Sequence, residues 1–175
     1  MLPAAGLQGI HVANVFISYE RSAEAIARAV TEALARHGHE IWSDALIPPH
    51  QDYADAIQEH LQAAEVVVVL WSQSAAASQW VRAEADYARE NNKLVQVILD
   101  ESTPPMPFNR IQCARLRGWT GNPNDPEWLK VLHSIEQLSA GSGERTANAP
   151  VDVRVEPARS NRFGRFLWVI GGLVV

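Results

Sequence analysis

The sequence predicts an α/β protein with a doubly wound parallel sheet, because strand-like and helix-like segments alternate through about residue 138. The clearest strand is the apolar run of residues 66–71, which is rich in β-branched side chains. An uninterrupted run of this kind is typical of a parallel strand covered on both faces. The clearest helix follows it, opening at Ser78 and continuing to about Glu90.

The first strand is predicted over residues 12–18 and the second, shorter one over residues 40–44. Ser22 is placed to cap the helix between them, in which apolar residues recur at helical spacing. Gly38 is expected to end this helix, since glycine tolerates the left-handed conformation found at many helix ends.

A loop is predicted at Pro48 and Pro49, because proline cannot continue a helix or a central strand. Tyr53, Ile57 and Leu61 then mark one face of a second helix. The remaining predicted elements are the strand of residues 66–71, a small-residue loop, the helix from Ser78, strands at 94–99 and 115–119, and a helix over about 125–138.

Composition restricts the function. The 175 residues suffice for one domain and a short additional segment, and the net charge of −5 provides no basic field for binding nucleic acid. Cys113 is the sole cysteine, so no intrachain disulfide can form, and a reducing cytoplasm fits. The six histidines lack the spacing of a metal site, so we expect no metal.

Two nucleotide-binding motifs are missing from the sequence. It contains no GxxxxGK[ST] phosphate loop, and no GxGxxG follows the first strand. These absences argue against a nucleoside triphosphatase and against a dinucleotide-dependent dehydrogenase of the Rossmann type.

The two ends of the chain differ from the predicted domain of residues 11–138. Residues 1–10 form an extension without signal-peptide character, and residues 139–164 are predicted to be a linker. Residues 165–175 are apolar after Arg165 and are interpreted as the start of a truncated transmembrane helix or, alternatively, as an apolar tail packed on the domain. Arginines before this segment would keep the N-terminal domain on the cytoplasmic side of the inner membrane.

Polar and aromatic residues follow three predicted strands. The pairs are Ser18-Tyr19, Ser43-Asp44 and Trp71-Ser72. Because ligands of open parallel sheets bind beyond the carboxyl ends of the strands, this edge is the predicted site.

Five motifs in register resemble a bacterial TIR domain, of the proteobacterial type with a C-terminal membrane segment. They are Phe16-Ile17-Ser18-Tyr19, Trp42-Ser43-Asp44, the Leu46-Ile47-Pro48-Pro49 loop, Leu70-Trp71-Ser72, and Ser78-x-Trp80-Val81-x-x-Glu84. The resemblance covers residues 11 to about 138. It implies a flavodoxin-like, five-stranded sheet of order 2-1-3-4-5 with helices on both faces.

The resemblance also implies site residues. Glu84 matches the family's catalytic glutamate, and Trp80 the aromatic residue one helical turn before it. Glu20 and Arg21 match a nucleotide-contacting pair. They directly follow Tyr19, and we place all three residues in the substrate site. Residues 44–53, including Pro49, match the BB loop. Two departures are a histidine where a glycine often follows the loop proline, and Glu20 where some active relatives have a basic residue.

Members of the family divide between enzymes that cleave the nicotinamide–ribose bond of NAD+ and adaptors that only assemble. For an enzyme, NAD+ is the substrate and no cofactor is needed. Pyridinium is a good leaving group, and Glu84 would stabilise an oxocarbenium-like transition state while Trp80 shields it from water. The resemblance implies that a neighbouring domain's BB loop completes the site, so activity requires self-assembly.

Several alternatives remain open at this stage. Glu84 can be a solvated helix acid, Trp80 and Tyr19 structural residues, and Arg21 a surface residue. The protein can be an NAD+-consuming immune effector, either a hydrolase or a cyclase, or a non-catalytic scaffold that binds other TIR domains. A virulence-type decoy for a host's TIR proteins is a third possibility, which no residue favours.

Overall fold

A computed structural model describes residues 12–43 and 53–147 of the chain. Five strands form a single sheet: β1 (Asn14–Ser18), β2 (Glu40–Trp42), β3 (Val66–Trp71), β4 (Leu94–Ile98) and β5 (Ala114–Arg115). Five α-helices accompany it: α1 (Glu24–Arg36), α2 (Tyr53–Ala63), α3 (Gln73–Ala77), α4 (Gln79–Glu90) and α5 (Pro126–Ala147).

All strand pairs in the sheet are parallel, and the strand order is β2-β1-β3-β4-β5. This confirms the predicted order 2-1-3-4-5 and the flavodoxin-like class. In the central pair, Val15 of β1 lies beside Val66 of β3, and Ser18 lies beside Val69. The order reverses between β1 and β3, so their carboxyl ends border the crevice where such sheets bind ligands.

Two apolar clusters cover the two faces of the sheet. One joins β1, β3 and β4 to α1 and α5, and we call it the α1–α5 face. The other joins the same strands to α2, α3 and α4, and we call it the α2–α4 face. Every residue of β3 is buried, as expected for a strand covered on both sides.

The helix ends follow local rules. Ser78 caps α4 by accepting a hydrogen bond from the Val81 N–H at 3.3 Å, as predicted. Gly38 follows α1 with a φ of +86°, in the left-handed region that glycine favours, so its predicted role is confirmed.

Two predictions about helix starts were wrong. Ser22 does not cap α1, because it lies inside a 3-10 turn (Arg21–Ala23) that precedes the helix, and the Glu20 side chain caps that turn. The predicted small-residue loop after β3 is instead the helix α3, which Ser72 caps through the Ala75 N–H at 3.1 Å.

Other boundaries also differ from prediction. The fifth strand is Ala114–Arg115 rather than residues 115–119, because a turn at Arg117 and Gly118 follows the last hydrogen bond to β4, from the Leu116 N–H to the Ile98 carbonyl. The last helix continues to Ala147, past the predicted end near residue 138 and into the predicted linker. Ser139 is fully buried, which favours continuation of the helix at that point.

No helix within residues 12–43 and 53–147 is both long enough and apolar enough to cross a membrane. The predicted membrane segment at 165–175 and the extension at 1–10 lie outside the described residues.

Candidate functional site

Helix α4 holds Glu84 against the sheet. The helix buries Val81, Ala85 and Ala88, which form an apolar stripe at helical spacing. Glu84 lies beside this apolar stripe and is only 6% exposed. The interpretation of Glu84 as a solvated surface acid is therefore wrong for this helix.

Trp80 lies one helical turn before Glu84, on the same side of α4. Its side chain is half-buried and packs against the cluster of the α2–α4 face. A half-buried indole combines packing with an accessible edge, so the position is compatible with both structural and substrate-shielding roles.

Tyr19 follows β1 directly, but it packs on the other side of the sheet. Its side chain is half-buried against the cluster of the α1–α5 face, whereas Trp80 belongs to the opposite cluster. Packing therefore does not bring Tyr19 together with Trp80, although both lie near the carboxyl edge.

Glu20 is engaged in local structure. Its carboxylate accepts hydrogen bonds from the Ser22 N–H at 2.9 Å and from the Ser22 hydroxyl. The Ser22 and Ser74 hydroxyls lie 2.7 Å apart, which ties the chain after β1 to α3. These hydrogen bonds, above all the one from the Ser22 side chain, lower the pKa of Glu20 below its ordinary value, so the group is ionised at neutral pH.

Arg21 has an exposed side chain in the turn after Glu20. A guanidinium in this position is free of the apolar core and accessible to an anionic ligand. Pro49 and the rest of the predicted BB loop, except its last residue, Tyr53, lie outside the described residues.

An open cleft of about 660 Å³ lies at the carboxyl edge, between the segments that follow β1, β3 and β4. Its polar lining comes from Ser22, Ser72, Gln73, Ser74 and Asp100. Asp100 accepts hydrogen bonds from the N–H groups of Gln73 at 2.9 Å and Ser102 at 2.8 Å. Burial opposes ionisation of Asp100, but hydrogen bonds from Ser102 and from the Gln73 N–H outweigh it, so its pKa is lowered.

Sequence reasoning named Ser18 as a strand-end residue but did not include it among the site residues. The structure buries it to 2% exposure at the end of β1. Residue spacing alone does not predict that one serine hydroxyl is buried. The alternation of side chains along β1 predicts only which face of the sheet Ser18 occupies.

Two further buried polar residues hold the α2–α4 face together. Lys93 donates to the carbonyls of Leu61 at 2.7 Å and Ala64 at 3.0 Å, which fixes the end of α2, and burial lowers its pKa. Gln96 accepts from the Trp71 indole N–H at 2.9 Å and donates to the Phe108 carbonyl at 3.3 Å. Both side chains have structural partners and are therefore not candidates for ligand binding.

Across the described ranges 12–43 and 53–147, no three His, Cys, Asp or Glu side chains are grouped so as to hold a metal ion. Cys113 is half-buried, and burial raises the pKa of its thiol. A thiol with a raised pKa is less reactive, so Cys113 offers no nucleophile at neutral pH.

The family model described as "TIR domain" matches residues 15–132, which is more than half of the chain. The chain belongs to the TIR domain family. The match contains Glu84, Trp80 and the segment from Tyr19 to Arg21, so every predicted site residue lies within it. No curated protein sequence matches this TIR domain significantly.

Solved structures share the fold of this TIR domain at low sequence identity. The TIR domain of the Toll-related receptor TRR-2 from Hydra magnipapillata superimposes with a TM-score of 0.60 at 13% identity, over 71% of this chain and 99% of that one. A metazoan TIR-STING receptor from C. gigas, solved in complex with 2',3'-cGAMP, gives a TM-score of 0.57 at 21% identity. That match covers 77% of this chain and 41% of the receptor, so this chain spans less than half of the receptor.

Proposed function

We propose that this TIR domain cleaves the nicotinamide–ribose bond of NAD+, releasing nicotinamide and ADP-ribose or a cyclic isomer. The observation that carries the proposal is the burial of Glu84, 6% exposed in the first half of α4 and one turn after Trp80. Burying a carboxylate costs free energy. Cleavage of the bond between the ribose and the cationic nicotinamide ring requires a carboxylate near the ribose, and Glu84, one turn after Trp80, would supply it.

The chemistry needs few protein groups. When the C–N bond breaks, its electron pair leaves with nicotinamide, and positive charge develops on the ribose. The carboxylate of Glu84 would stabilise that charge and orient the ribose hydroxyls, while Trp80 covers the reacting carbon. Water then adds to the ribose carbon and loses a proton to give ADP-ribose, or an adenine nitrogen of the same molecule adds to give the cyclic product.

Substrate contacts and assembly are part of the proposal. Exposed Arg21 is suited to a phosphate of NAD+, and Tyr19 and Glu20 would border the substrate on the β1 side. Pro49 would contribute through the BB loop, which in an assembly would complete the site of a neighbouring copy. No cofactor is required, because NAD+ is itself the substrate.

We further propose that the domain lies on the cytoplasmic side of the inner membrane, anchored by residues 165–175. An anchor would restrict copies of the domain to the membrane plane and raise their effective concentration. Self-association would then switch the enzyme on. NAD+ and other TIR domains are the proposed partners, and the net charge of −5 gives no support to nucleic acid as a third.

The test is NAD+ consumption by purified domain in two states, dilute in solution and concentrated on beads. Release of nicotinamide that rises with clustering supports an assembly-activated enzyme, and separation of ADP-ribose from cyclic products then identifies the reaction. No nicotinamide release in the clustered state contradicts the proposal and favours a scaffold that only binds other TIR domains.

A further inference from the structure

Ser18 occupies the last position of β1, one of the two central strands. Its register partner on β3 is Val69, and the strand order reverses between these two strands. Open parallel sheets bind ligands in the crevice beside such a position. Ser18 lies beneath this edge and does not line the open cleft of about 660 Å³ described above.

The side chain of Ser18 lies on the same face of the sheet as Glu84. Side chains alternate along a strand, so Ser18 shares its face with Phe16, two residues earlier. Phe16 belongs to the apolar cluster that includes Val81 and Ala85 of α4. Helix α4 packs on β1 and β3, and Glu84 is buried on that helix.

The hydroxyl of Ser18 is buried without a hydrogen bond. The residue is 2% exposed, and its Oγ finds no partner within the described parts of the chain. A buried hydroxyl that lacks a partner costs free energy that an alanine would not. Lys93 and Gln96 on the same face each have several partners, so an unpaired group is not the rule there.

We propose that Ser18 is a substrate-binding residue whose hydroxyl takes its missing partner from the nicotinamide ribose of NAD+. This inference rests on the proposed function. A ribose hydroxyl suits the two protein groups on this face, since it can donate to the Glu84 carboxylate and accept from Ser18. A diphosphate does not suit them, because the carboxylate repels it.

The test compares Ser18→Ala with a matched control, Ser102→Ala. Ser102 also has a buried hydroxyl, but it lies in the loop after β4, where it helps to lower the pKa of the neighbouring Asp100. We measure KM and kcat for NAD+ on clustered domain, the Kd for NAD+, and the melting temperature of each variant. Loss of one hydrogen bond predicts that Ser18→Ala raises KM and Kd by about tenfold. Its melting temperature stays at or above the parent's, and Ser102→Ala leaves KM unchanged.

An unchanged KM and Kd in Ser18→Ala overturn the inference, as does an equal rise in Ser102→Ala. If Ser18→Ala fails to fold, Ser18→Cys replaces it, and the weak thiol donor must then raise KM at an undiminished melting temperature. A parent that binds NAD+ without cleaving it refutes the proposed function alone, and the Kd ratio still decides the role of Ser18. A parent that neither binds nor cleaves NAD+ overturns both.

Discussion

The two faces of the sheet differ in what their buried polar side chains contact. On the α1–α5 face, Ser139 donates to a carbonyl of its own helix, and His39 accepts a hydrogen bond from the Ala13 N–H at 3.3 Å. The α2–α4 face also has an apolar cluster, but four polar or charged residues are buried on it: Ser18, Glu84, Lys93 and Gln96.

The contrast separates groups that stabilise the fold from groups that fit a ligand. The Lys93 amine donates to backbone carbonyls, and the Gln96 amide bonds a backbone carbonyl and an indole N–H. These hydrogen bonds explain the burial of both side chains by structure alone. Ser18 has no such partner, and Glu84 lies on the helix that the family resemblance associates with catalysis. Under the proposed function, Ser18, Trp80 and Glu84 contact the substrate from the α2–α4 face, and Tyr19 borders it from the α1–α5 face.

The largest stability effect is expected on the α1–α5 face. Leu34 is fully buried there, and Leu34→Ala should lower the free energy of unfolding by about 3 kcal/mol through lost burial and the cavity left behind. Urea denaturation measures the change. The matched control is Leu129→Ala, since Leu129 is 49% exposed and should change stability by less than about 0.5 kcal/mol. Equal losses would show that Leu34 is not part of the main core.

A smaller effect is expected at Lys93. The change Lys93→Met keeps most of the apolar stem but leaves the carbonyls of Leu61, Gln62 and Ala64 without their donor. We expect a loss of about 2 kcal/mol in the free energy of unfolding. Lys130→Met removes an exposed amine and serves as the control. If both variants keep the parent's stability, the buried amine does not anchor α2.

The smallest effect is expected on the stability of the domain at acidic pH, through Glu20. The pKa of Glu20 is below its ordinary 4.5 in the folded domain, so folding favours the carboxylate. Its stabilising contribution is present above the unfolded pKa and is lost as the pH falls through the lower folded pKa. Glu20→Gln should therefore lose stability at neutral pH and flatten the fall in melting temperature as the pH drops below the ordinary pKa of 4.5. Parallel acid profiles of parent and variant would contradict this assignment.

Much of the fold could be predicted because its signals are local and redundant. The apolar run of β3, the Ser78 cap and the core side of α4 each follow from residue type and spacing. The start of a helix was harder to predict where two neighbouring residues can each act as the N-cap. Glu20 and Ser22 can both cap a helix, and the Glu20 carboxylate prevails by accepting two bonds from Ser22.

Sequence analysis missed α3 and the end of α5 for a different reason. Serine and alanine after β3 are compatible with a loop, and only the Ser72 cap and the burial of Ala75 reveal a helix. The glycine and serine residues after Leu138 predict a linker, yet α5 passes through them. In both cases tertiary packing determines the conformation of a segment whose intrinsic helix propensity is weak.

The candidate site could be predicted only in part. The spacing of Trp80 and Glu84 places both on one side of a helix, but the burial of Glu84 depends on where α4 meets the sheet. The unpaired hydroxyl of Ser18 depends on every neighbour around it and has no signature in the sequence.

The most direct test of the account is NAD+ cleavage by clustered domain carrying Glu84→Gln or Glu90→Gln. Both changes remove one carboxylate from α4 without changing side-chain size, but Glu84 is buried and Glu90 is exposed. The account predicts that Glu84→Gln lowers nicotinamide release by about 100-fold or more while the domain still folds and self-associates, and that Glu90→Gln keeps the parent's rate. Equal rates in the parent and Glu84→Gln would contradict the assignment of Glu84 as the catalytic residue.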